Sequence, residues 1–130
     1  MDERVTTAGV AVKDGRILVA KRAKGGPLSE AWEFPGGKSR YGETVEDTLR
    51  REWQEELGVD VSVGAFLLQV EFVNKETQYH LMCHIVEPLS EDFQLLFHQD
   101  IIWAGRKELE SLAFGPSDQK IRDFILSQLL

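Results

Sequence analysis

Between Thr44 and Leu57 the chain carries a helical pattern whose inward stripe is bordered by carboxylates, and this restricts how the helix can be packed. At about 100° per residue, Val45, Leu49 and Trp53 fall on one arc that must face a core. Glu52 and Glu56 fall within about 20° of Val45 on the same wheel, and Glu55 sits on the flank beside Glu52. Asp47, Arg50, Arg51 and Gln54 take the solvent side. Thr44 is placed to cap the first turn with Asp47 in the reciprocal position, and Gly58 suits a left-handed stop. Carboxylates on an inward edge are costly unless positive charge meets them. From Glu43 to Asp60 there are seven acids against two bases, a local net of −5. Two readings stand: a solvated acidic face, or an oxygen-only site for a hard divalent cation shared with a phosphate. Pro35-Gly36-Gly37 lies just before the helix, where a backbone without side chains can approach a ligand or form a plain turn.

The rest of the chain reads as strands and two further helices. Val5 to Val12 and Ile17 to Ala20 flank Asp14-Gly15 and predict a hairpin. Lys21 to Ala31 reads as a loop and Trp32-Glu33-Phe34 as a short strand. Val59–Val73 and Tyr79–Val86 predict a second hairpin across Asn74–Thr77. Asp100–Ala104 reads as a last strand, Arg106–Leu112 as a short helix, and Pro116 opens a final helix with Ile121, Phe124, Ile125 and Leu129 at helical spacing. Strands and helices mix without strict alternation, which predicts an α/β class with a sheet packed between helices. With 130 residues and 42% hydrophobic content, one domain over residues 1–130 is expected.

Acids outnumber bases 22 to 15, a net charge of −7, which argues against nucleic-acid backbones and anionic membranes as partners. No apolar run approaches the ~20 residues of a membrane helix. Met-Asp-Glu-Arg has no apolar signal core, and the single cysteine, Cys83, suits a reducing cytoplasm.

From Gly37 the sequence runs GKSRYGETVEDTLRREWQEELGV. It resembles the Nudix box, G-x5-E-x7-R-E-U-x-E-E-x-G-U with U apolar, at Gly37, Glu43, Arg51, Glu52, Trp53, Glu55, Glu56, Gly58 and Val59. The preceding Trp32-Glu33-Phe34-Pro35-Gly36-Gly37-Lys38 looks like the version in MutT-type members. The resemblance implies a Nudix-type α/β/α sandwich with a mixed β-sheet, and a hydrolase acting on phosphoric anhydride bonds with Mg²⁺, or Mn²⁺ as substitute. It implies a metal set of Gly36 (carbonyl), Glu52, Glu55 and Glu56, with Glu43 and Arg51 orienting the cluster and Gly37 and Gly58 structural in the motif. Glu52 is the expected general base. The implied reaction is attack of water on a nucleoside triphosphate, including oxidised or non-standard nucleotides, releasing monophosphate and pyrophosphate. ADP-ribose, nucleotide sugars and dinucleoside polyphosphates are alternatives, although no proline lies between Pro35 and Pro88, as ADP-ribose hydrolases of the family often have. A non-catalytic nucleotide-binding module would be expected to lose the glutamates, and Glu52, Glu55 and Glu56 are all present.

One departure concerns the loop before the last strand. MutT-like members often place a glutamate there, just ahead of a histidine, and here Phe97 precedes His98. Either that role is missing here, or a neighbour such as Asp100, Glu91 or Asp92 supplies it. Arg22 and Lys38 are candidate phosphate grips, and Asp118 matches a position that reads the base; each reads also as an ordinary exposed or helix-start charge. His80, Met82 and His84 share one strand face, either a partly exposed sheet face or a pocket wall. The small-molecule partner is then a nucleotide, and the protein a monomer or homodimer.

Overall fold

The computed structural model describes residues 1–130. The elements are β1 (Asp2–Val10), β2 (Val12–Lys13), β3 (Arg16–Lys21), β4 (Trp32–Glu33), α1 (Val45–Leu57), β5 (Val61–Asn74), β6 (Thr77–Pro88), β7 (Asp100–Ala104), α2 (Arg106–Ser111) and α3 (Pro116–Gln128). Strands β1, β6 and β5 form a mixed sheet in that order, β1 parallel and β5 antiparallel to β6. A second, antiparallel sheet is built on β3, which pairs with β2, β4 and β7.

Side-chain alternation along the strands feeds two cores. Ile17 and Val19 join Val10, Leu81, Cys83, Ile121 and Ile125 on the α3 side. Leu18 joins Leu49, Trp53, Leu57 and Val86 on the α1 side. Helices therefore cover both faces, as an α/β/α sandwich requires.

The expected first hairpin needs correction. Only Val12–Lys13 turns back onto Arg16–Ile17, while β1 leaves that sheet and runs parallel to β6 from Asp2↔Thr77 to Val10↔Ile85. Asp14 and Gly15 turn the chain with positive φ (51° and 73°), but the partner of β1 lies far along the chain. The second hairpin, the β7 strand and the two later helices fall where expected. In α3, Ile121 and Ile125 are buried and Leu129, just past its end, is exposed.

Candidate active site

Helix α1 is shaped by its own signals. Thr44 accepts from the Asp47 N–H, Asp47 accepts in return from the Thr44 N–H, and Gly58 stops the helix at φ 67°. Trp53 anchors it: its indole N–H donates to the Pro35 carbonyl at 2.9 Å, and Gly9 of β1 has no side chain to obstruct the ring.

The segment before α1 is laid along the edge of β1. The Gly9 N–H donates to Pro35 O at 2.8 Å, the Thr7 N–H to Gly37 O at 2.9 Å, and the Ser39 N–H to Val5 O at 3.0 Å. Thr7 Oγ1 closes a second bond to Gly37 O. The carbonyls of Pro35 and Gly37 are engaged in this way, and that of Gly36 is left out of the ladder. Two glycines are needed for the approach. A Cβ on Gly36 would stand 2.2 Å from Thr7 O, and one on Gly37 would stand 2.5 Å from Glu52 Cδ.

Arg51 is not on the solvent side as the wheel suggested. Its long side chain folds back, donating from Nε and Nη2 to both oxygens of Glu43 (2.7 and 2.9 Å), from Nη1 to Glu52 and Glu55 (2.9 and 3.2 Å), and from Nη2 to Lys38 O (3.0 Å). This fork pairs the cluster with the loop. Hydrogen bonding to Arg51 holds the Glu43 carboxyl at about 2, well below the usual range.

Glu52, Glu55 and Glu56 face a cavity of about 510 Å³, together with Gly36, Gly37, Lys38, Arg22 and Asp118. The sequence-derived site residues that were expected to touch ligand are thus brought to one place. Glu56 is nine-tenths buried and its Oε1 has no hydrogen-bond partner. Burial, then the neighbouring Glu52, pushes its carboxyl up to about 10. Arg22 pairs with Glu33 at 3.0 Å, and Lys38 stands 5.4 Å from the Tyr79 ring. Asp118, in the first turn of α3, accepts from the Phe34 N–H at 3.1 Å. Burial pushes its carboxyl up to about 7, against that bond.

For the neighbouring residues the structure decides between the readings left open. His80, Met82 and His84 do not line the cavity; Phe72 and Leu81 supply that wall. His80 sits outside between Glu71 and Glu3, whose hydrogen bonds raise its pKa. Asp100, Glu91 and Asp92 do not replace a loop glutamate. Asp100 pairs beside Lys21 on the sheet, Glu91 is bonded to Lys13, and Asp92 is exposed. Phe97 is half-exposed at the cavity and packs edge-on against the His98 ring.

Two site residues escaped the sequence reading. Glu33 enters the cavity from β4, and the fully buried imidazole of His98 donates from Nε2 to Glu33 Oε2 at 2.8 Å. Because an ionised carboxylate can only accept, the proton is on Nε2. Burial opposes ionisation of Glu33, but the bonds from His98 and Arg22 outweigh it and hold its pKa below the usual value. Glu33, Glu56 and His98 each bring one potential ligand atom within 4.8 Å of the others. The available signal was the alternation in Trp32-Glu33-Phe34, where a lone acid sits between two aromatics.

The sequence profile described as the NUDIX domain matches residues 3–121. The chain belongs to the Nudix family. Among curated relatives, it is 30% identical to the CTP pyrophosphohydrolase of Escherichia coli (strain K12) over 111 residues, which cover 85% of this chain and 82% of that protein. It is 30% identical to the 8-oxo-dGTP diphosphatase of Haemophilus influenzae (strain ATCC 51907 / DSM 11121 / KW20 / Rd) over 137 aligned positions, covering 98% and 96%. The crystal structure of a MutT Nudix hydrolase from Burkholderia pseudomallei superposes with a TM-score of 0.84 at 25% identity, covering 96% of this chain and 99% of that one. The chain is a MutT-like Nudix hydrolase, and hydrolases of this family use divalent metal ions.

Proposed function

We propose that this chain hydrolyses nucleoside triphosphates, oxidised or non-standard ones included, to a monophosphate and pyrophosphate. The relatives named as CTP pyrophosphohydrolase and 8-oxo-dGTP diphosphatase support that substrate class. The observation that carries the reading is Glu56: a buried carboxyl beside Glu52, with one oxygen that no protein donor satisfies. Such a group either keeps its proton or meets a cation.

The residues present fit a hard divalent ion. Glu52, Glu55 and Glu56 offer oxygen donors only, and the Gly36 carbonyl is free of the β1 ladder. These four would hold Mg²⁺, with Mn²⁺ as substitute. When bound, the metal lowers the pKa of water and neutralises charge developing on the phosphates. The protein's own part is positioning. Arg51 orients Glu52 and Glu55 and ties them to the Lys38 carbonyl. Glu52 is the base that takes the proton from the attacking water, which displaces pyrophosphate in line. Arg22 and Lys38 meet phosphate oxygens, and Asp118 meets the edge of the base, accepting when ionised and donating when protonated. A carboxyl near pH 7 can serve in either form.

The same reading takes residues 1–130 as one domain, monomer or homodimer, acting on a small-molecule nucleotide in the cytoplasm with neither nucleic acid nor membrane as partner. Its test is product analysis with Mg²⁺ or Mn²⁺ over the common triphosphates, 8-oxo-dGTP, ADP-ribose, a nucleotide sugar and a dinucleoside polyphosphate. Monophosphate and pyrophosphate from a triphosphate are expected. Cleavage of only ADP-ribose or a dinucleotide would overturn the substrate, and no turnover at all would overturn the reaction.

A further inference from the structure

Beside Glu56 lie two groups that the hydrolytic reading leaves unused, Glu33 and His98, with Arg22 paired to the first. Arg22 Nη1 donates to one oxygen of Glu33 at 3.0 Å, and His98 Nε2 donates to the other at 2.8 Å. The same Nε2 stands 3.9 Å from Glu56 Oε1, beyond hydrogen-bond reach. One N–H thus lies between two carboxylates and is given to Glu33. Glu56 Oε1 is left buried and unpartnered in consequence.

The allocation is enforced from both sides. Arg22 occupies the second oxygen of Glu33, so that carboxylate is held on two edges and cannot swing away from His98. His98 in turn is fixed by its backbone neighbours: the Gln99 N–H donates to Lys21 O at 2.8 Å, and the Leu96 N–H donates to Glu56 O at 3.2 Å. Its ring is wholly buried beneath Phe97, so no rotation into solvent relieves the competition.

We infer that Glu33 is a positioning residue which, locked by Arg22, draws the His98 N–H away from Glu56 and so keeps Glu56 Oε1 open for a divalent cation. The inference rests on the metal assignment proposed above, and goes beyond it in giving Glu33 and His98 a role without making either a ligand. In Glu33→Gln the single amide oxygen still accepts from Arg22, and the amide NH2 that replaces the other oxygen faces His98 as a donor and cannot accept its N–H. The imidazole N–H then turns to Glu56 Oε1, and the cation must displace it.

The test is Mn²⁺ binding without nucleotide, followed by electron paramagnetic resonance of the free ion, with thermal melts as the check on folding. Glu33→Gln should weaken Mn²⁺ binding about ten- to hundredfold, the range for groups that act on a ligand from behind. His98→Leu in that background should restore affinity to within about threefold of the wild type, since no N–H remains to cap Glu56. His98→Leu alone should bind Mn²⁺ as the wild type does. Loss of affinity in His98→Leu alone would make His98 a ligand and overturn the inference. Unchanged affinity in Glu33→Gln, with Glu56→Gln binding lost, would overturn it while leaving the metal assignment intact. Unchanged affinity in Glu56→Gln would overturn the metal assignment itself.

Discussion

Glu56→Gln keeps the shape of a buried carboxyl but removes its capacity to ionise. Turnover should fall by about a hundredfold or more, at least what an outer-shell group costs. Far-UV circular dichroism should be unchanged, and the melting temperature in EDTA at pH 8 should not drop, because Gln resembles the protonated form that burial favours. Asp118 gives a pH signature of definite sign. Its folded value of about 7 lies above the ordinary 3.8, so between those values the folded chain holds more proton than the unfolded one. Stability from this group is fully present below about pH 4 and is lost as pH rises through about 7. Urea melts in EDTA should show wild type losing stability from pH 5.5 to 8, and Asp118→Asn losing less. A wild-type slope retained in the variant would remove Asp118 from that account. Cys83 is buried and its thiol is pushed up to about 12 by that burial, so a thiol reagent at pH 8 should label only unfolded protein.

The loop–helix unit separates two uses of glycine. On Gly36 a Cβ would strike the β1 backbone, which cannot yield, so Gly36→Ala should cost about 1–3 kcal/mol of stability. On Gly37 it would strike the carboxylate end of Glu52, which can move. Gly37→Ala should therefore melt close to wild type yet lose turnover. Paired melting curves and rates for the two variants decide this, and equal melting losses would contradict it. Helix α1 itself was legible residue by residue: both caps and the apolar stripe depend on neighbours within one or two turns. The course of β1 was not, because its parallel partner β6 lies more than seventy residues away. Arg51 was misplaced for a different reason. A helical wheel fixes the direction of Cα–Cβ, and a long guanidinium side chain can turn back toward carboxylates.

Across the molecule a net charge of −7 meets a substrate that is also an anion, so cations must lie between them. No helix is long and apolar enough to cross a membrane. Metal should bind the folded chain alone, since both sheets and α1 are needed to assemble the cavity. Mn²⁺ at a hundred times its dissociation constant should then add about 2.7 kcal/mol to folding stability. A rise in melting temperature that EDTA reverses, and that Glu56→Gln lacks, would show it; an equal rise in that variant would place the ion elsewhere.

Taken alone, the sequence determined α1, its caps, the glycines before it and the identity of the acidic cluster, because those features are set by short-range spacing along the chain. It also carried the family, through nine specified positions within 23 residues. Tertiary structure alone decided that β1 crosses to β6, that Arg51 turns inward, and that Glu33 and His98 stand against Glu56. Glu33, His98 and Glu56 come from β4, the loop before β7 and α1. Nothing in local periodicity encodes a meeting of three distant segments; it exists only once two sheets and a helix have packed around a common cavity.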